Sequence, residues 1–226
     1  MKKIVITGSE GLIGTELRKY FKDKYEILSL DIELGHDLTD ESFVKQWFSD
    51  NKNLYGMIVG HAYNPVPTEG SEKLEPIDLS LKDIKDYLDV NVVSAFDVCK
   101  NFIKNNDSGR IVNISSLYGL ASPKHFIYNN FVKPIGYSMS KSALILMSKY
   151  LATYYAENFN INTVIFGGVY HKTFEEQFCK NYYKEVPMGR FMDISEVPSV
   201  FNFLFDEKSS YVNGTEIVVD GGWTAW

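Results

Sequence analysis

A tyrosine, Tyr137, stands four residues before a lysine, Lys141, in the stretch GYSMSKSAL (136–144). Residues four apart on a helix share a face, so the lysine charge can lie beside the phenol. A phenol with its ordinary pKa of about 10 is a poor base at neutral pH. Bringing it to about 7 takes roughly 4 kcal/mol of preference for the phenolate. A tyrosine so tuned can exchange a proton with an alcohol oxygen while a hydride moves at the carbon. Spacing alone does not decide the matter, because Tyr20 and Lys24 stand in the same relation. That second pair lies on the first helical segment, with no serine or strand end implied beside it.

The elements that must position the first pair are legible. Six apolar runs (KIVITG, YEILSLD, YGMIVGHA, GRIVNISS, NINTVIFGG and TEIVVDGG) alternate with helical stretches at 12–24 and at roughly 79–105, 137–158 and 194–206. Strands apolar on nearly every residue suit a parallel sheet covered on both faces. Strand–helix alternation implies right-handed crossovers. The expected fold is α/β: a Rossmann-like, doubly wound parallel sheet in three αβα layers, one domain over 1–226. Ligands of such sheets bind beyond the carboxyl ends of the strands, so residues just after a strand are the candidates.

The first such place is TGSEGLIG (7–14), between the first strand and the first helix. Gly8 suits the tight turn, Gly11 lets backbone approach a pyrophosphate, and Gly14 allows close helix–strand packing. The phosphates then face free N–H groups at the helix N-terminus, where Leu12 and Ile13 join the expected cofactor-binding set. Asp31 ends the next strand, where a carboxylate accepts hydrogen bonds from ribose hydroxyls and repels a 2′-phosphate. Glu10 and Ile32 occupy neighbouring positions where NADP would want a cation, so NAD(H) is expected over NADP(H).

Composition narrows the class. The chain has 226 residues, 45% of them hydrophobic, and a net charge of −6, enough for a core and unsuited to a nucleic-acid surface. Cys99 and Cys179, and the four scattered histidines, lack metal-ligand spacing. The four-residue apolar run before Gly8 is too short for a signal peptide, and no run has the length of a membrane span. A cytoplasmic protein with a small-molecule substrate is expected, with no metal, nucleic-acid or membrane partner.

Taken together, these motifs resemble the short-chain dehydrogenase/reductase family, single-domain type, from Lys3 to about Thr224. The resemblance implies that Asp37 and Leu38 of HDL cradle the adenine. It implies that Asn91 in LDVNVVSAF, Ser116 in GRIVNISSLYG, and Tyr137 and Lys141 in YSMSK form the catalytic set. Ser116 would orient the reacting oxygen, Asn91 would support a proton-relaying water, and Lys141 would also hold the nicotinamide ribose. Gly167 and Val169 match positions that meet the nicotinamide. The stretch 187–222 is similar to the family's C-terminal third.

Several features depart from the family pattern. The glycine turn reads TGxxGxxG, commoner in longer relatives that include epimerases and dehydratases; the chain is expected to end too soon for their substrate region. GHAY (60–63) replaces Asn-Asn-Ala-Gly and puts bulk at His61 and Tyr63, where His61 and Ala62 are the expected cofactor contacts. For His61 a packing or polar-contact role is favoured over that of a catalytic accessory. Phe166-Gly167 replaces Pro-Gly, and His171 stands where threonine is common. About eight extra residues separate Ser116 from Tyr137. Loops at about 120–136 and 169–189 are expected to border the substrate. In the second, Tyr170, Phe174, Phe178 and Tyr182 have helical spacing, which suits a stripe packing a lid helix down or an aromatic wall for a sugar ring.

The FIY loop, the GGV turn and the ending VDGGWTAW also resemble oxidoreductases of bacterial surface-glycan and flagellin-modification pathways, including those for legionaminic-type sugars. That likeness implies a sugar or sugar-phosphate substrate. The leading expectation is an NAD-dependent oxidoreductase interconverting a secondary alcohol and a ketone. A non-catalytic dinucleotide sensor, or an epimerase or dehydratase using NAD transiently, are the alternatives. The family also implies a homodimer or homotetramer paired through the helices near 79–105 and 137–158, and the Trp223 and Trp226 tail suggests packing on a neighbour.

Overall fold

The computed structural model describes residues 1–64, 75–128 and 131–226. Its six strands are β1 (Lys3–Thr7), β2 (Glu26–Leu30), β3 (Leu54–Val59), β4 (Gly109–Ser116), β5 (Phe159–Phe166) and β6 (Glu216–Val219). All pair in parallel, in the order β2-β1-β3-β4-β5-β6. These are the six runs read from the sequence. The chain winds outward from β1 in both directions, so a switch point opens between the carboxyl ends of β1 and β3.

Alternation along each strand sorts the helices into two layers. Val5 and Met57 face one side, where α2 (Glu41–Asp50), α4 (Ser94–Asn105) and α5 (Ile135–Tyr154) pack with Phe48, Phe102 and Leu144. Ile4, Ile6 and Ile58 face the other side, against Leu17 and Phe21 of α1 (Leu12–Phe21) and Phe201 and Phe205 of α7 (Pro198–Phe205).

The stretch 79–105 is interrupted, not one helix. Ser80 caps α3 (Leu81–Leu88) through a reciprocal capping box with Asp83. A π-helical turn then spans Asp89–Val93 before α4 begins. Such turns cluster at functional sites, and this one contains Asn91.

A third apolar cluster lies beyond the strand ends. Leu117, Ile127, Tyr182, Val186, Phe191 and Trp223 are buried there, with Phe174 and Phe178 against them, under α6 (Glu176–Glu185). Three of the four aromatics at helical spacing therefore hold α6 down, and Tyr170 is exposed. Tyr182 also accepts a 2.7 Å hydrogen bond from the Gly168 N–H. Trp223 stacks on Tyr182 within its own chain, which corrects the expectation that it packs on a neighbour; Trp226 is exposed. Residues 129–130 of the expected loop at 120–136 lie outside the described residues. What precedes them docks on α6, with Tyr128 stacked on Phe178 and the Asn181 amide donating to the Ile127 carbonyl.

Candidate active site

Backbone geometry explains two of the three turn glycines. Gly8 has φ +69°, and a Cβ there would lie 2.7 Å from the His61 nitrogen. A Cβ on Gly14 would lie 2.1 Å from the Gly8 oxygen. Gly11 differs: its φ is −68° and a Cβ would meet only the Gly8 oxygen, at an ordinary 3.4 Å. Nothing in the chain's own packing requires glycine there. It lines the cleft at the start of α1, which has no side-chain N-cap and no acid in its first turn. Open helix-end donors with a bare glycine beside them fit the pyrophosphate of a dinucleotide.

Asp31 secures this turn. It is 7% exposed, and its carboxylate accepts from the Glu10 N–H at 2.8 Å and the Glu33 N–H at 3.0 Å. Arg18, which the sequence reading passed over, donates to the Ser9 carbonyl and pairs with Glu10 at 2.6 Å. Asp37 is exposed and turned back on Thr39, whose hydroxyl and N–H hold its carboxyl below the usual range. Leu38 is packed in the core.

Across the switch point, His61 is an internal linker. Ser94 gives its hydroxyl proton to the Val90 carbonyl at 2.6 Å, so it accepts from His61 Nε2, 2.8 Å away. His61 Nδ1 is then the acceptor for the Thr7 hydroxyl, at 2.7 Å. Burial, with the Lys141 charge adding to it, lowers the imidazole pKa to about 4. Polar contact is therefore the role its geometry supports. The packing also buries Asn91 completely. Its oxygen accepts from the Tyr63 N–H at 2.6 Å, and its amide donates to the Tyr63 carbonyl and to Ser140 Oγ.

Ser116, the last residue of β4, and Tyr137 and Lys141 of α5 line a single cleft. Gly8, Gly11, Leu12, Ile13, Gly14, Ala62, Gly167 and Val169 line the same cleft. Asp31, Asp37, Leu38, His61 and Asn91 stand outside its lining. Burial raises the Tyr137 phenol, and Ser116 beside it works in the opposite direction. The expected lowering by Lys141 is not met in this geometry. The ammonium donates to the Ile114 carbonyl at 3.0 Å and lies 5.8 Å from the phenol ring centre. Burial, then the charge of Lys133, brings the Lys141 pKa down to about 8. At the surface, Lys24 does reach the Tyr20 hydroxyl, at 3.2 Å. Burial and a shared cleft, not contact, separate the two pairs.

A family model described as enoyl-(acyl carrier protein) reductase matches residues 13–224. The chain belongs to the short-chain dehydrogenase/reductase family. Members of this family are oxidoreductases of alcohol and ketone groups that bind a nicotinamide dinucleotide, and this short-chain dehydrogenase/reductase is one of them. It is 30% identical to 3-oxoacyl-(acyl-carrier-protein) reductase FabG of Aquifex aeolicus, over 97% of this chain and 86% of that one. It is 26% identical to post-translational flagellin modification protein A of Campylobacter coli, over 94% and 83%. A short-chain dehydrogenase from Leptospira borgpetersenii, solved with bound NAD+, superposes with a TM-score of 0.84 at 25% identity, over 99% and 92%.

Among the residues passed over in the sequence, Ser115, Ser140, Asn64 and Lys133 hold or line this site. Ser115 Oγ donates to the Lys141 carbonyl, and Ser140 joins Asn91 to the Tyr137 carbonyl. Lys133 alone had a signal, being four residues before Tyr137. Among the described residues, no helix is long and apolar enough to cross a membrane, and no group of three or more His, Cys, Asp or Glu side chains could hold a metal ion.

Proposed function

We propose that this protein is an NAD(H)-dependent oxidoreductase that interconverts a secondary alcohol and a ketone. The observation that carries the reading is that Ser116, Tyr137 and Lys141 share one cleft with the glycine turn. When bound, the nicotinamide takes up or delivers the hydride and, oxidised, adds a positive charge to the site. Tyr137 exchanges the proton of the reacting oxygen, and Ser116 hydrogen-bonds that oxygen and orients it. Lys141 holds the nicotinamide ribose and keeps positive charge beside the phenol. Asn91 fixes the Tyr63 backbone and supports the water that passes the proton on. Gly11, Leu12, Ile13 and Gly14 receive the pyrophosphate, and Gly167 and Val169 the nicotinamide end.

The preference for NAD(H) is supported by the buried Asp31 carboxylate, which repels a 2′-phosphate. Arg18, the nearby cation, is engaged by Glu10 and the Ser9 carbonyl. The segments at about 120–136 and 169–189 form the substrate's walls. The flagellin-modification relative supports a sugar derivative, in surface-glycan biosynthesis, as the substrate. A homodimer or homotetramer is supported by apolar side chains left exposed on two adjacent elements: Phe96 of α4, and Leu146, Tyr150 and Tyr154 of α5. Only monomer by light scattering at micromolar concentration would sink that assembly.

The decisive experiment follows the absorbance of reduced nicotinamide with wild type and Tyr137→Phe, on sugars, sugar phosphates, nucleotide sugars and simple ketones. Turnover that disappears in the variant while NADH still binds supports the reading. Tight NADH binding without net turnover on any of these substrates counts against it.

A further inference from the structure

The lengthened stretch before Tyr137 brings a second lysine into the site, and the reaction above gives it no part. Lys133 precedes Tyr137 by four residues, as Lys141 follows it by four. Its ammonium lies over the Tyr137 ring, 4.1 Å from the ring centre. It donates to the side-chain oxygen of Asn64, which lines the same cleft as Ser116 and Tyr137.

Charge is unbalanced here. Among the described residues no carboxylate pairs with Lys133 or Lys141, and Lys133 acts on Lys141 by repulsion. Burial lowers the Lys133 pKa to about 8, so it still carries charge at neutral pH. A chain of net charge −6 has thus concentrated two uncompensated cations around its reactive tyrosine. Partly buried ammonium groups are costly without a counter-charge, and a cleft with low-dielectric walls focuses their field on an incoming anion.

We propose that Lys133 binds an anionic oxygen group of the substrate, a carboxylate or phosphate a few bonds from the reacting carbon. The natural substrate is then an acidic hydroxy or oxo compound, not a neutral polyol. This inference rests on the oxidoreductase reading, with which it shares the cleft. The Asn64 amide oxygen holds the ammonium over the ring, and the remaining N–H donors are available to the anion.

The test uses matched probes: acetoacetate against acetoacetamide for a carboxylate, and dihydroxyacetone phosphate against dihydroxyacetone for a phosphate. Each is assayed with NADH on wild type, Lys133→Met and Lys133→Arg, with thermal melts to check folding and Lys133→Gln as a second neutral variant. Calorimetric binding to Tyr137→Phe, with and without Lys133→Met, gives a readout that needs no turnover. The expected result is a kcat/KM preference of about tenfold or more for the charged member in one arm. It falls to within about twofold in the neutral variants and is largely kept by Lys133→Arg.

A preference for the neutral member, or one unchanged in Lys133→Met, overturns the anion site and leaves the reaction standing. So does an equal loss for both members of a pair, which would make Lys133 a tuner of Tyr137 alone. Anion binding that depends on Lys133, with no reduction of any probe by wild type, keeps the anion site and counts against the oxidoreductase. Failure of both anions to bind overturns the inference.

Discussion

Ser115 Oγ donates a 2.7 Å hydrogen bond to the main-chain carbonyl of Lys141, joining the end of β4 to the second turn of α5. Gly119 tightens the same joint, since a Cβ there would lie 2.8 Å from the Lys141 carbonyl. The residue after Ser115 is Ser116, and the residue whose carbonyl is held carries the site's buried ammonium. One strand end and one helix are therefore registered against each other at the point where serine, tyrosine and lysine meet.

Ser115→Ala removes that registration and leaves Ser116, Tyr137 and Lys141 themselves unchanged. The lost hydrogen bond costs about 1 kcal/mol of stability. Because reacting groups tolerate little displacement, kcat falls severalfold while NADH affinity stays near wild type. Thermal melts and steady-state kinetics check both. Lost NADH affinity with kcat intact would contradict the role given to this joint.

Lys141→Met separates function from stability. Lys141 is 4% exposed, and its ammonium donates to the Ile114 carbonyl. Its folded pKa of about 8 lies below the ordinary 10.5, so at neutral pH its charged form weakens the fold. An isosteric apolar side chain should therefore leave stability unchanged or raise it by about 1–3 kcal/mol, while turnover is lost. Denaturant unfolding beside activity measures both, and a strongly destabilised variant would contradict this account.

The turn glycines make opposite predictions. Gly14→Ala forces a methyl group against the Gly8 carbonyl, costing several kcal/mol, within the range of severe backbone clashes. Gly11→Ala has room in the chain and a φ that alanine accepts, so its melting temperature stays near wild type while NADH binding weakens at least tenfold. Fluorescence titration of NADH against both variants checks the pair. A Gly11→Ala protein that binds NADH normally would remove the pyrophosphate from this position.

All six strands were legible because each is an apolar run ending in a turn residue, and the glycine turn was legible because its spacing is local. The π-helical turn around Asn91 was not, because LDVNVVSAF has the apolar spacing of an uninterrupted helix. What singles out Asn91 is its contact with Tyr63 and Ser140, 28 and 49 residues distant. The orientation of Lys141 was likewise hidden. Helical spacing aims a lysine at the phenol four residues before it, and the Ile114 carbonyl, brought close by the sheet, takes the ammonium instead. Trp223 misled for the converse reason: a tryptophan near the chain end suggests an exposed contact, and only the fold supplies Tyr182 to cover it.

His61 gives a prediction in the acid range. Its ring joins Thr7 on β1 to Ser94 on α4 and is held neutral, with Nε2 as donor and Nδ1 as acceptor. Protonation would turn Nδ1 into a donor facing Thr7 Oγ1, which already accepts from the Gly60 N–H at 3.1 Å. Lys141 opposes the added charge and Asp31 favours it, with burial the largest effect. The folded pKa, about 4, lies below the ordinary 6.5, so between these values the unfolded chain binds more protons. The contribution is complete above pH 6.5 and is lost as pH falls toward 4, amounting to roughly 3 kcal/mol at most. His61→Asn has nothing to titrate there and should flatten that part of the stability profile. Urea unfolding of both proteins at several pH values from 4 to 7 tests it; parallel profiles would mean that His61 is not held neutral by its place in the fold.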